Sequence, residues 1–100
     1  MIIRIFQVTV HEGKEDEFRD FFLDTALPLM KRQDGLVSIT PGLPRPESPQ
    51  DFTMVMVWTD LGALRAFAGE DWRHAHIHAD EANLVKARRL SHYELAESAS

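Results

Sequence analysis

The segment Trp72–His78, WRHAHIH, places three of the chain's five histidines at alternate positions. Imidazole titrates near neutrality, so it can serve as a base, a metal ligand or a haem ligand. Read as a strand, the segment puts His74, His76 and His78 on one face, a metal-binding arrangement. Read as a helix, it separates them. Glu70, His74 and His78 fall on one stripe, and Trp72, Ala75, His76 and Ala79 on another. Between Glu70 and Ala79 the only β-branched residue is Ile77, which favours a helical turn or two. His74 and His78 then form a solvated pair with no HExxH glutamate between them, and no metal site is expected. His76 lies beside Trp72 on the stripe that can face a core, where it is either a candidate base or a packed ring. His92, next to Tyr93 in the last strand, is the second candidate, with a satisfied core histidine as the alternative. His11, beside Glu12 at a strand end, reads as a loop residue.

A base needs something to act on, and the apolar residues offer a wall for it. Phe52, Met54, Met56 and Trp58 alternate along one strand face. With Phe6, Phe22 and Phe67 they could line a ligand pocket, or they could be core or dimer interface. There is no glycine-rich phosphate loop, no serine elbow and no flavin or nicotinamide fingerprint.

These residues must be positioned by a small set of elements. Ile2–Val10 is apolar at both odd and even positions, as a strand covered on both faces would be. After Gly13, the residues Phe18, Phe21, Phe22, Ala26, Leu29 and Met30 recur at helical spacing, with acidic residues opposite and early. Pro28 lacks an N–H and should kink this helix near Asp24. Leu36–Thr40 is a second strand, and the proline-rich 41–50 stretch a stiff hairpin loop or edge. Phe52–Thr59 is a third strand. Asp60 caps a second helix that ends at Gly69. A short helical piece is expected over Asp80–Arg88, then a last strand Leu90–Leu95 and a frayed tail at 97–100. Residues 1–96 make one domain. The order predicts an α+β, ferredoxin-like split βαβ fold with a four-stranded antiparallel sheet and helices on one face. The other sheet face is also apolar, so a homodimer is expected to cover it.

Composition narrows the function classes. The 100 residues include no cysteine, so disulfides and thiol chemistry are absent, which is compatible with a reducing cytoplasm. The net charge is −5 and the eleven basic residues are scattered apart from KARR at 86–89, which argues against nucleic acid. No run has the length of a membrane helix, and the apolar start lacks the pattern of a signal peptide, so a cytoplasmic protein is expected.

Three stretches together resemble the antibiotic biosynthesis monooxygenase (ABM) family of dimeric α+β-barrel proteins. They are HEGKEDEFRDFF after the first strand, MVMVWTDLGALRAFAGEDW, and the terminal HYEL. The resemblance implies a ligand pocket between sheet and helices. It also implies a cofactor-independent oxidoreductase that uses molecular oxygen on a small aromatic or quinol. Such chemistry needs an apolar pocket, a base and a donor for a developing oxyanion. His76 and His92 are then the candidate bases, and Trp72 and Trp58 aromatic walls. Haem binding is the second implication. The haem-degrading members use an Asn on the first strand, a Trp on the second helix and a downstream His. Here those regions offer Gln7, Phe67 and His76. A third alternative is a non-catalytic dimer that binds a small ligand or serves in stress.

Overall fold

The structure is a computed structural model, and it describes residues 1–75, 79 and 81–96. Four strands form one antiparallel sheet in the order β2-β3-β1-β4. They are β1 (Ile2–Val10), β2 (Leu36–Gly42), β3 (Asp51–Trp58) and β4 (Val85–Glu94). Between β1 and β2 runs a helical rod made of α1 (Glu15–Phe21), a π-helical turn (Phe22–Ala26) and α2 (Leu27–Lys31). After β3 comes α3 (Leu61–Ala68). This is the ferredoxin-like α+β arrangement that the order of elements predicts.

The central pair is β1 and β3, with Ile2 opposite Trp58 and Val8 opposite Phe52. Pairing in register puts the even residues of both strands on the helix side, because side chains alternate across a strand. Phe52, Met54, Met56 and Trp58 are therefore all buried, as are Val8 and Val10. Phe18 and Phe22 from the rod meet Phe52 with ring centroids 4.7 and 5.5 Å away. Leu64 from α3 is fully buried beside them.

The expected kink at Pro28 is realised as the π-helical turn. The N–H of Leu27 bonds back to the carbonyl of Phe22. The extra residue in this turn relieves the clash between the proline ring and the preceding turn. It also sets the direction in which Phe22 and Ala26 project. Gly35, at φ +84°, lets the turn into β2 approach α3: a Cβ there would lie 2.5 Å from Cβ of Ala63. Asp60 caps α3 by accepting from the N–H of Ala63 at 2.8 Å. Pro41 sits within β2, which tolerates it because β2 is an edge strand.

Two expectations are corrected. No helical piece occupies the described part of Asp80–Arg88. Glu81–Leu84 is a turn and β4 begins at Val85, pairing with β1 from Val10↔Val85 to Ile2↔Glu94. The basic end of the expected helical piece, Lys86–Arg88, lies instead in β4, an edge strand, where charged residues are at home. Glu70–His74 forms turns rather than a continuation of α3. Gly69 at φ +83° has already ended that helix. The tail 97–100 lies outside the described residues.

The second face of the sheet carries Ile3, Ile5, Val55, Val57 and Tyr93. The first four are half-buried and Tyr93 is 55 % exposed.

Candidate active site

Between the sheet and the helical rod lies a cavity of about 160 Å³. Its wall is apolar: Phe6, Met54 and Met56 from the sheet, Phe22, Ala26 and Met30 from the rod, and Phe67 from α3. An apolar cavity of about 150 Å³ in another protein holds benzene, so this one, which is partly open to solvent, encloses roughly one aromatic ring of a ligand. Trp58 stands behind the wall, stacked on Phe67 at 5.1 Å and 22°.

Two charged residues interrupt this wall, Arg4 and Glu81, and both are buried at 3 % and 5 % exposure. Arg4 occupies an even position of β1, so its pairing forces it to the helix side with Phe6 and Val8. Its Nη1 donates to the carbonyl of Trp72 at 2.6 Å and to Nε2 of His92 at 3.0 Å. Arginine has no acceptor, so Nε2 must offer its lone pair and His92 must be neutral with its proton on Nδ1. Burial pulls the Arg4 guanidinium down to about 10, which leaves it charged at neutral pH. His92 is held below the ordinary histidine range. Burial is the main cause, followed by the positive charges of Arg4 and Arg73. The Trp72 and His92 rings meet edge to face at 5.0 Å and 87°. Arg73 lies over Trp72, 4.4 Å from the ring centroid.

The structure thus brings together most of the residues singled out in the sequence. Phe6, Phe22, Met56 and Phe67 line the cavity directly. Trp58 supports it from behind. His92 and Trp72 form a cluster behind Arg4 and are absent from the cavity wall. His76 lies outside the described residues, as does His78. Gln7 is exposed on an odd position of β1, facing away from the cavity. Among the described residues no group of three or more His, Cys, Asp or Glu could hold a metal ion. Arg4 and Glu81 are the residues missed as site candidates. Arg4 had a signal, an arginine in phase with the apolar face of an otherwise apolar strand. Glu81 had none, because it lies in a turn whose position depends on β4.

The model of the antibiotic biosynthesis monooxygenase family matches residues 1–79. The chain belongs to that family. Solved structures of similar fold include SnoaB, a cofactor-independent oxygenase from Streptomyces nogalater, in mutant form. It is 25% identical to this ABM chain, with a TM-score of 0.70 and coverage of 97% of this chain and 94% of that one. A mutant of MhuD with two manganese protoporphyrin IX bound per active site is 16% identical. Its TM-score is 0.75, and the match covers 100% of this chain and 99% of that one. A protein of unknown function from Nitrosomonas europaea is 20% identical. It has a TM-score of 0.77 and coverage of 99% and 92%. No curated protein matches the ABM chain in sequence. Among the described residues no helix is long and apolar enough to cross a membrane.

Proposed function

We propose that this ABM protein is a cofactor-independent oxygenase acting on a small aromatic or quinol-type substrate. The observation that carries the reading is the ring-sized apolar cavity with a buried cation in its wall. The substrate would bind between Phe22, Met56 and Phe67 and ionise there. An electron-rich anion of this kind passes an electron to molecular oxygen, and the two radicals combine at carbon. Loss of water from the resulting peroxide leaves a carbonyl: an anthrone-type CH2 and O2 become C=O and H2O. Arg4 would stabilise the negative charge on the substrate oxygen. His92, with its neutral ring bonded to Arg4, would hold that guanidinium together with the Trp72 carbonyl. The sequence candidates Trp72 and His92 therefore enter as groups that act through Arg4. His76 remains a candidate base on the strength of the sequence alone. The likeness to SnoaB, a cofactor-independent oxygenase, supports this reading.

The functional unit is proposed to be a homodimer, with Ile3, Ile5, Val55, Val57 and Tyr93 covered by a second copy. A cytoplasmic location suits a chain without cysteine. A single mass of a monomer by light scattering at micromolar concentration would refute the dimer.

Haem is the second reading, motivated by the fold shared with MhuD. The described residues do not fit it. Pockets that bury drug-sized ligands run to roughly 300–1,000 Å³, and this cavity is about 160 Å³. Gln7 also faces away from it. A haem titration would therefore give no saturable Soret shift.

The oxygenase reading is tested by oxygen uptake with a panel of quinols and anthrones. Uptake that depends on enzyme and falls in Arg4→Met supports it. If no member of the panel is consumed above the uncatalysed rate, the protein is a non-catalytic binder of small ligands.

A further inference from the structure

Arg4 is charged, buried at 3 % exposure, and part of a cavity wall that is otherwise almost wholly apolar. Burial of a guanidinium is unfavourable unless an anion or a full set of acceptors meets its five donors. Among the described residues only two acceptors do so, the Trp72 carbonyl and His92 Nε2, and both are neutral and both meet Nη1. No carboxylate of a described residue lies within ion-pair distance of it, and the ion pair seen between described residues, Arg45–Glu47, is on the surface. The remaining donors belong to a side chain that lines the cavity.

We infer that the cavity selects aromatic anions, with the ring between Phe22, Met56 and Phe67 and the charged group on the guanidinium of Arg4. Arg4 is the specificity-determining residue of the site. The inference rests on the proposed use of this cavity for a small aromatic, but not on the oxygen chemistry. A carboxylate, an enolate and a phenolate share the needed feature, a planar oxygen anion conjugated to a ring. A guanidinium recognises a carboxylate in particular through two parallel hydrogen bonds.

The test is a pair of isosteric comparisons in the purified protein, followed by NMR titration. Benzoate is compared with benzamide, and 2-naphthoate with 2-naphthamide. In the wild type each acid is expected to bind at least about tenfold more tightly than its amide, with shifts centred on residues lining the cavity. Arg4→Met removes the preference and Arg4→Lys retains part of it. Methionine in place of a buried charge is the variant most compatible with folding, and the acid-over-amide comparison in the wild type needs no variant. Equal affinity for acid and amide, no binding by any of the four, or shifts away from the cavity would overturn the inference. Oxygen uptake is read separately. Acid-selective binding without turnover of any quinol leaves this inference standing and removes the oxygenase. Turnover of neutral quinols without acid preference does the reverse.

Discussion

Arg4 and His92 lie opposite each other in the β1–β4 ladder, and their side chains meet at 3.0 Å although 88 positions separate them in the chain. The contact requires a neutral imidazole. Protonating it would put two cations in contact and remove the acceptor.

A pH dependence follows. The folded-state pKa of His92 is lowered, so the unfolded chain binds this proton more readily than the folded one. The stability the neutral ring contributes is complete above about 6.5, the ordinary histidine value. It is lost as pH falls through the lower, folded-state value. Two-dimensional NMR of the ring should show His92 titrating below the ordinary histidine value. Thermal unfolding should drop between pH 7.5 and 5, and His92→Gln, which keeps an acceptor, should flatten part of that drop. A His92 that titrates at or above the ordinary value would refute the contact.

The cavity itself can be filled. Ala26 sits in the π-helical turn and lines the wall. Ala26→Leu should occupy part of the 160 Å³ and cost at least about tenfold in affinity for any ring-sized ligand. Cavity filling should raise stability by about 0.5–2 kcal/mol. Calorimetric unfolding and ligand titration on one preparation measure both. Unchanged ligand affinity would place the ligand elsewhere.

Gly35 is needed for two reasons at once. Its φ of +84° is unfavourable for any side chain, and a Cβ would lie 2.5 Å from Ala63. Gly35→Ala should therefore cost more than about 1 kcal/mol, read as a lowered urea midpoint. An equal loss is not expected at Gly13, where φ is also positive but nothing lies within 4 Å. The difference between the two variants isolates the close approach of α3.

The start of α3 depends on a single side chain. Asp60→Ala removes the acceptor for the Ala63 N–H and should cost about 1 kcal/mol. Asp60→Asn should restore most of it. Because Phe67 on the same helix stacks on Trp58, the alanine variant should also change the Trp58 fluorescence. A fluorescence spectrum identical to the wild type would mean that fraying does not reach Phe67.

The alternation in Phe52–Trp58, the break at Pro28, the Asp60 cap and the stop at Gly69 could be read from the residues because each is a local effect. Side-chain period, a missing N–H, a short acceptor and a left-handed φ act within a few positions of the chain. They were enough to settle the ferredoxin-like order, and the apolar residues Phe6, Phe22, Met56 and Phe67 line the cavity. What the tertiary structure alone decided was the start of β4 at Val85, the meeting of Arg4 with His92, and the presence of Glu81 in the cavity. Each depends on strand register between ends of the chain. A polar stretch such as KARR suits a helix or an edge strand equally well until β1 pairs with it. The same pairing turned Arg4 from an interruption in an apolar strand into the buried charge of the site.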